Sequence, residues 1–283
     1  MAIPRIVFGA LVLAGALSAQ TFIQMSDPQF GMFLKDEGFP HETANFDFAI
    51  ASANRLKPAF VVITGDLVNS RESTAEVAEF QRIAARLAPG IRLFNVPGNH
   101  DLGNEPTPES LALYRRRFGP DYYTFRIGDI AGFVVDSSLL KAPARTAAEA
   151  AKMEAWLRTE LAQARSDGVK HLIVFQHIPP FLKDPNEPET YDSFPLETRA
   201  RYLKMLHEYG VKHLFAGHYH AAVETRDGDL EIHITGPVGM PLRGGRSGMQ
   251  IVSVTPGSVW HQYYDFGTLP ETLAPPPAVQ GSR

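Results

Sequence analysis

The sequence predicts an α/β fold in four layers, an αββα sandwich of two packed mixed sheets flanked by helices. Three observations carry that expectation. Strand-like and helix-like segments alternate from Thr21 to Phe215, and from Ala221 onward the chain turns into short strands and turns. Five of the apolar strand segments end in a polar cluster, at the place where open α/β sheets build their sites.

The elements follow in order. Residues 21–25 form a short apolar strand, and helical periodicity over 42–56 leads into a buried strand at 59–64. Ser73 and Glu76 have capping-box spacing and open a helix that runs to Pro89-Gly90, before a buried strand at 91–96. Thr107-Pro108 supplies a cap and a first-turn proline for the next helix. Gly128-Asp129, between residues 122–127 and 130–135, marks a hairpin. Thr146 and Glu149 give a second capping box at the head of the longest helix, which reaches Ser166. Strands at 169–175 and 211–215 enclose a helix around 198–207. No repeat or linker divides residues 20–268, which are expected to form one domain. Residues 269–283, with Pro275-Pro276-Pro277, are expected to be a disordered tail.

The composition bounds the chemistry. The 283 residues are 44% hydrophobic and carry a net charge of −4, so no global basicity favours nucleic acid or an anionic membrane. The absence of cysteine excludes disulfides, zinc thiolates and a thiol nucleophile. Arg5 precedes an apolar run over residues 6–17, followed by Ser18-Ala19-Gln20. That pattern predicts a signal peptide over residues 1–19 and export to a periplasm or the medium. The run is shorter than the roughly 20 residues that span a bilayer, so no stable membrane anchor is expected.

The polar clusters are Asp27-Pro28-Gln29, Gly65-Asp66, Gly98-Asn99-His100-Asp101, Gln176-His177-Ile178-Pro179 and Gly217-His218-Tyr219-His220. Each alone has a bland reading: a Gly-Asp is commonly a turn, and a lone histidine commonly a satisfied core residue. All five together, each after an apolar strand, describe a metal site. Oxygen and imidazole donors without sulfur suit Mn, Zn or Fe.

Taken in this order, the motifs resemble the calcineurin-like metallophosphoesterases. The resemblance is closest to a branch of serine/threonine phosphatase-like proteins with Asp-Pro-Gln-Phe-Gly first (Asp27 to Gly31), then Gly98 to Thr107, Gln176 to Leu182 and Gly-His-Tyr-His. That resemblance implies a phosphomonoester hydrolase with two divalent metals and a metal-bridging hydroxide as nucleophile, and Gln29, as a weaker ligand than histidine, favours Mn among them. It implies Asp66 shared by both metals, Asp27, Gln29 and His220 on the first, and Asn99, His177 and His218 on the second. It further implies His100 as general acid, with Asp101 orienting it. The expected substrate is a small phosphoester or a phosphoprotein.

Several positions depart from relatives. Gln29 stands where most members have histidine, and a neutral amide either ligates more weakly or holds a metal-bound water. Asn69 stands where purple acid phosphatases have tyrosine, which argues against an iron–tyrosinate colour. Arg71 is displaced by one position from the phosphate-holding arginine of protein phosphatases and is expected to be a solvated loop residue. The acidic segment 183–193 reads either as an ordinary surface loop or as a rim over the site. His41, His171, His207, His213, His233 and His261 have no ligand-like neighbours and are expected to be surface or structural. Two rivals remain open in the sequence: a phosphodiesterase or nuclease on the same site, and a metal-binding protein without turnover.

Overall fold

The computed structural model describes residues 19–273; residues 1–18 of the expected signal peptide and 274–283 of the tail lie outside them. In chain order the elements are β1 (Gln20–Met25), α1 (Pro40–Leu56), β2 (Phe60–Thr64), α2 (Thr74–Ala84), β3 (Arg92–Val96), α3 (Asn99–Leu102) and α4 (Pro108–Phe118). Then come β4 (Tyr123–Ile127), β5 (Ile130–Val134), α5 (Ser137–Lys141), α6 (Ala147–Ser166), β6 (His171–Phe175), α7 (Leu196–Tyr209) and β7 (His213–Ala216). The chain closes with β8 (Val223–Asp227), β9 (Leu230–Ile234), β10 (Gly248–Thr255) and β11 (Ser258–Asp265).

Two mixed sheets result, ordered β11-β10-β1-β2-β3 and β4-β5-β6-β7-β9-β8. In the first, β1, β2 and β3 are parallel; in the second, β5, β6, β7 and β9 are. Strand periodicity then sorts the side chains. Phe22, Phe60, Val62 and Phe94 of one sheet meet Phe125, Phe175 and Phe215 of the other in an inner core. Its rings pack at 4.7 Å (Phe22–Phe60), 5.3 Å (Phe60–Phe125) and 3.8 Å (Phe94–Phe125). The alternate residues, among them Ile23, Ile63, Val174 and Leu214, cluster with Phe46 and Ile50 of α1, Phe80 of α2, Leu157 of α6 and Leu206 of α7. This is the four-layer arrangement the sequence predicts.

Local differences have physical causes. Ser73 caps α2 by accepting from Glu76 N, but the Glu76 carboxylate accepts from Asn69 N (3.0 Å) and Ser70 N (2.8 Å) and so ties the helix to the loop after Asp66. The helix ends at Ala84 and continues only as turns before Pro89. The box at Thr146 does not form: Arg115, already paired with Asp121 at 2.8 Å, takes Glu149 at 2.9 Å. The box at Thr107 forms with Ser110. Residues 269–273, expected in the tail, dock instead: Leu269 and Leu273 pack against the core, and Arg55 Nη1 donates to the carbonyl of Pro270 at 2.8 Å.

The inner aromatic core fixes how the two sheets meet. Phe60→Ala, at its centre, is expected to cost about 3–5 kcal/mol of stability, checked by urea unfolding. A loss near zero contradicts a single shared core.

Candidate metal centre

The sheet topology carries the five motifs to the carboxyl ends of β1, β2, β3, β6 and β7, so both sheets contribute to one cluster. Backbone bonds lace the loops together. Asp27 N donates to Gly65 O (3.0 Å), Gln29 N to Asp66 O (2.9 Å), and Gly217 N to His177 O (3.0 Å). Across the sheets, His218 N donates to Asp27 Oδ2 at 3.1 Å. Among the described residues eight non-glycines have positive φ, and five are in the motifs: Asp27, Gln29, Asp66, His218 and His220. Such backbone costs free energy and persists where the surroundings impose it. A Cβ on Gly65 would collide with the His177 imidazole, and one on Gly98 with Asp66.

His177 is the hub. Its Nε2 lies 3.1 Å from Asp66 Oδ2, 3.2 Å from Asn99 Oδ1 and 3.2 Å from His218 Nδ1. Donors about 2.0–2.2 Å from one tetrahedral ion stand about 3.3–3.6 Å apart, so these separations approach a coordination shell. Each histidine's other nitrogen is fixed by a backbone carbonyl: His177 Nδ1 on Thr64 (2.7 Å), His218 Nε2 on Tyr191 (3.2 Å), and His220 Nδ1 on Met240 (2.6 Å). This outer shell selects the tautomer and leaves one lone pair per ring for the centre. His220 Nε2 lies 3.3 Å from Asp27 Oδ1, placing Asp27, Asp66 and His220 in a second potential metal group beside Asp66, His177 and His218.

The neutral donors fit as well. Asn99 Nδ2 donates to Asn104 Oδ1 and to Tyr191 Oη, each at 2.9 Å, which frees Asn99 Oδ1 for the centre. Gln29 Nε2 donates to Asn69 Oδ1 at 3.2 Å, and Gln29 Oε1 and Asp27 Oδ1 are buried without hydrogen-bond partners. Buried unpartnered oxygens are costly in a protein but suited to a hard or borderline cation.

The charges point the same way. Burial works against charge on His177, yet Asp66 and Asp27 outweigh it and raise the imidazole to about 9. Burial pushes Asp66 up, but His177 and then His100 hold it well below the usual carboxylate range. Burial and the neighbouring His177 lower His218 to about 4.

One expected role is corrected. Asp101 does not orient His100: its carboxylate is occupied by the backbone N–H groups of Leu67 (3.0 Å), Val68 (3.3 Å) and Gly98 (2.8 Å). Burial, and then Asp66, raise that carboxyl to about 7. The His100 ring is held by Asn69, whose carbonyl accepts from Nδ1 at 2.9 Å. Arg71 is a solvated loop residue, as expected, with its side chain 41% exposed, and it lines a cavity of about 330 Å³ with His100, Asn99, Asn104, Asp36 and Glu72. The segment 183–193 is a rim, because Tyr191 packs against His218 with ring centroids 5.0 Å apart, tilted by 40°, and reaches Asn99. Asn69, Arg71, Asn104 and Tyr191 escaped sequence reasoning; only the place of Asn69 and Arg71 just after Gly65-Asp66 offered a signal.

The comparisons with known proteins agree with this geometry. Residues 21–222 match the family model for calcineurin-like phosphoesterase. The serine/threonine-protein phosphatase CPPED1 of Bos taurus is 32% identical over 265 residues, spanning 88% of this chain and 85% of that protein. Solved structures add the fold: a dimetal phosphatase from Danio rerio has a TM-score of 0.59 at 15% identity, covering 88% of this chain and 100% of the other. A purple acid phosphatase from Lupinus luteus has 0.65 at 12% identity, covering 88% and 52%. The chain belongs to the calcineurin-like phosphoesterase family and is a metal-dependent phosphoesterase.

With His177 raised from 6.5 to about 9, the ring holds a proton at neutral pH that an entering cation displaces. Cation affinity is therefore expected to rise with pH, about tenfold per unit for one proton, until the folded-state pKa is passed. Calorimetric titration with Mn²⁺ at several pH values, in buffers of different ionisation heat, measures this. Affinity independent of pH contradicts it.

Proposed function

We propose that the chain hydrolyses phosphomonoesters with two divalent cations, Mn favoured, sharing Asp66. Asp27, Gln29 and His220 would hold one, and Asn99, His177 and His218 the other. Bound there, such ions supply Lewis acidity and activate water. The chain's own groups do the rest. Asn69 O accepts from His100 Nδ1, so the ring in its cationic form carries a second proton, on Nε2, to give to the departing alkoxide, and the proton that the attacking water loses restores it. Phosphorus gains oxygen from water as its bond to that alkoxide breaks.

The observation that carries this reading is the placing of His100 and Arg71 on one small cavity with the centre's own Asn99. Arg71 offers the phosphate a guanidinium. Asp36 and Glu72, which line the same cavity, disfavour long polyanions and favour a single phosphoryl group. The name of the CPPED1 relatives supports a phosphorylated protein side chain as substrate. Export remains part of the proposal and rests on residues 1–19 alone.

With Mn²⁺, p-nitrophenyl phosphate is expected to turn over faster than its bis-ester. His100→Ala should lower kcat by about 10²–10⁴-fold on alkyl phosphates, whose leaving groups need a proton, and less on p-nitrophenyl phosphate. Preference for the bis-ester sinks the monoesterase reading, and an unchanged kcat on alkyl phosphates sinks the role of His100.

A further inference from the structure

Several of the histidines expected to lack ligand-type neighbours have them, His213 and His233 in one group. His213 begins β7, Glu231 and His233 lie on β9, and β7 pairs with β9 so that His213 faces Glu231 and Phe215 faces His233. By strand alternation, His213, Phe215, Glu231 and His233 share the face turned toward the other sheet, which contributes His261 from β11. His233 is only 1% exposed, a depth at which an imidazole requires partners.

The donor atoms form a compact triangle. His213 Nδ1 is 3.2 Å from His233 Nε2 and 3.4 Å from Glu231 Oε2, and His233 Nε2 is 3.9 Å from Glu231 Oε2. Zinc with bonds of about 2.0–2.2 Å and tetrahedral geometry separates its ligands by about 3.3–3.6 Å. A hydrogen bond between the two rings accounts for one edge only, and one shared proton leaves a lone pair among the three unserved.

A second feature is independent of that triangle. Glu224, paired with His233 across β8 and β9, accepts a hydrogen bond from His233 Nδ1 at 2.6 Å. That bond puts the proton on Nδ1 and turns the bare Nε2 toward His213 and Glu231, as a carboxylate does behind a metal-ligating histidine. Arg226 approaches the other Glu231 oxygen, Oε1, at 3.8 Å, which leaves Oε2 to the triangle. Glu231 and His233 also line a cavity of about 520 Å³, open for an ion and its water.

We propose that His213 Nδ1, His233 Nε2 and Glu231 Oε2 form a second cation site, separate from the phosphoesterase centre, that takes a borderline divalent ion such as Zn²⁺. Two imidazoles and one carboxylate are the donor set such ions prefer. The ion joins β7 to the edge hairpin β8–β9 and serves stability, since no residue of the site touches the cavity lined by His100.

The test is anomalous diffraction at the zinc edge, on crystals of the full chain grown with Zn²⁺. A peak within bonding distance of the three atoms is expected. It should vanish in Glu231→Gln, a change at a 40% exposed side chain on β9, while turnover of p-nitrophenyl phosphate stays at the wild-type level. In solution, Glu224→Gln should weaken Zn²⁺ at this site by about 10–100-fold. No peak at that position, or one that persists in both Glu231→Gln and His213→Gln, overturns the proposal. A peak there stands whether or not the phosphoesterase centre fills.

Discussion

The buried hydrogen bond from His177 Nδ1 to the Thr64 carbonyl, 2.7 Å long, joins the end of β6 in one sheet to the end of β2 in the other. It can form only because Gly65 leaves room for the ring and the phenylalanine core holds the sheets in one relation. Once made, it settles which nitrogen of His177 faces Asp66, Asn99 and His218. The same device recurs at His218 and His220, each with its remote nitrogen on a carbonyl from a different loop. The donor set is thus preorganised by backbone, and rotating any ring away would break the hydrogen bond that selects its tautomer.

Backbone strain is concentrated in the same place. Left-handed conformations at Asp27, Gln29, Asp66, His218 and His220 turn these side chains out of strand alternation. His218 groups with Asp66 and His177, and His220 with Asp27 and Asp66. The inner aromatic core and the loop-to-loop bonds offset the cost of that conformation.

Much of this was legible in the sequence, because strand periodicity and the polar residues at strand ends are local signals. The alternation of elements, the hairpin at Gly128 and a metal site at the strand ends follow from them, while the seven proposed ligands come from the family resemblance that the motifs carry. What stayed hidden depends on contacts between distant segments. Asp101 sits beside His100 in the chain, but the short helix α3 turns its carboxylate to the N–H groups of Leu67 and Val68 instead. Arg71 and Tyr191 belong to loops whose path no periodicity reports. The box at Thr146 failed because Arg115, thirty-four residues from Glu149, offers the carboxylate a stronger partner. His213 and His233 are linked only through the β7–β9 pairing, and a crossover connection leaves no trace of it in local sequence.

The central claim is that Asp66 is shared by two cations. Electron paramagnetic resonance of the Mn²⁺-loaded protein tests it most directly. Two ions sharing a carboxylate should give an exchange-coupled spectrum, and Asp66→Asn should convert it to that of isolated ions or abolish binding. A wild-type spectrum of magnetically isolated Mn²⁺ at full loading would contradict the account.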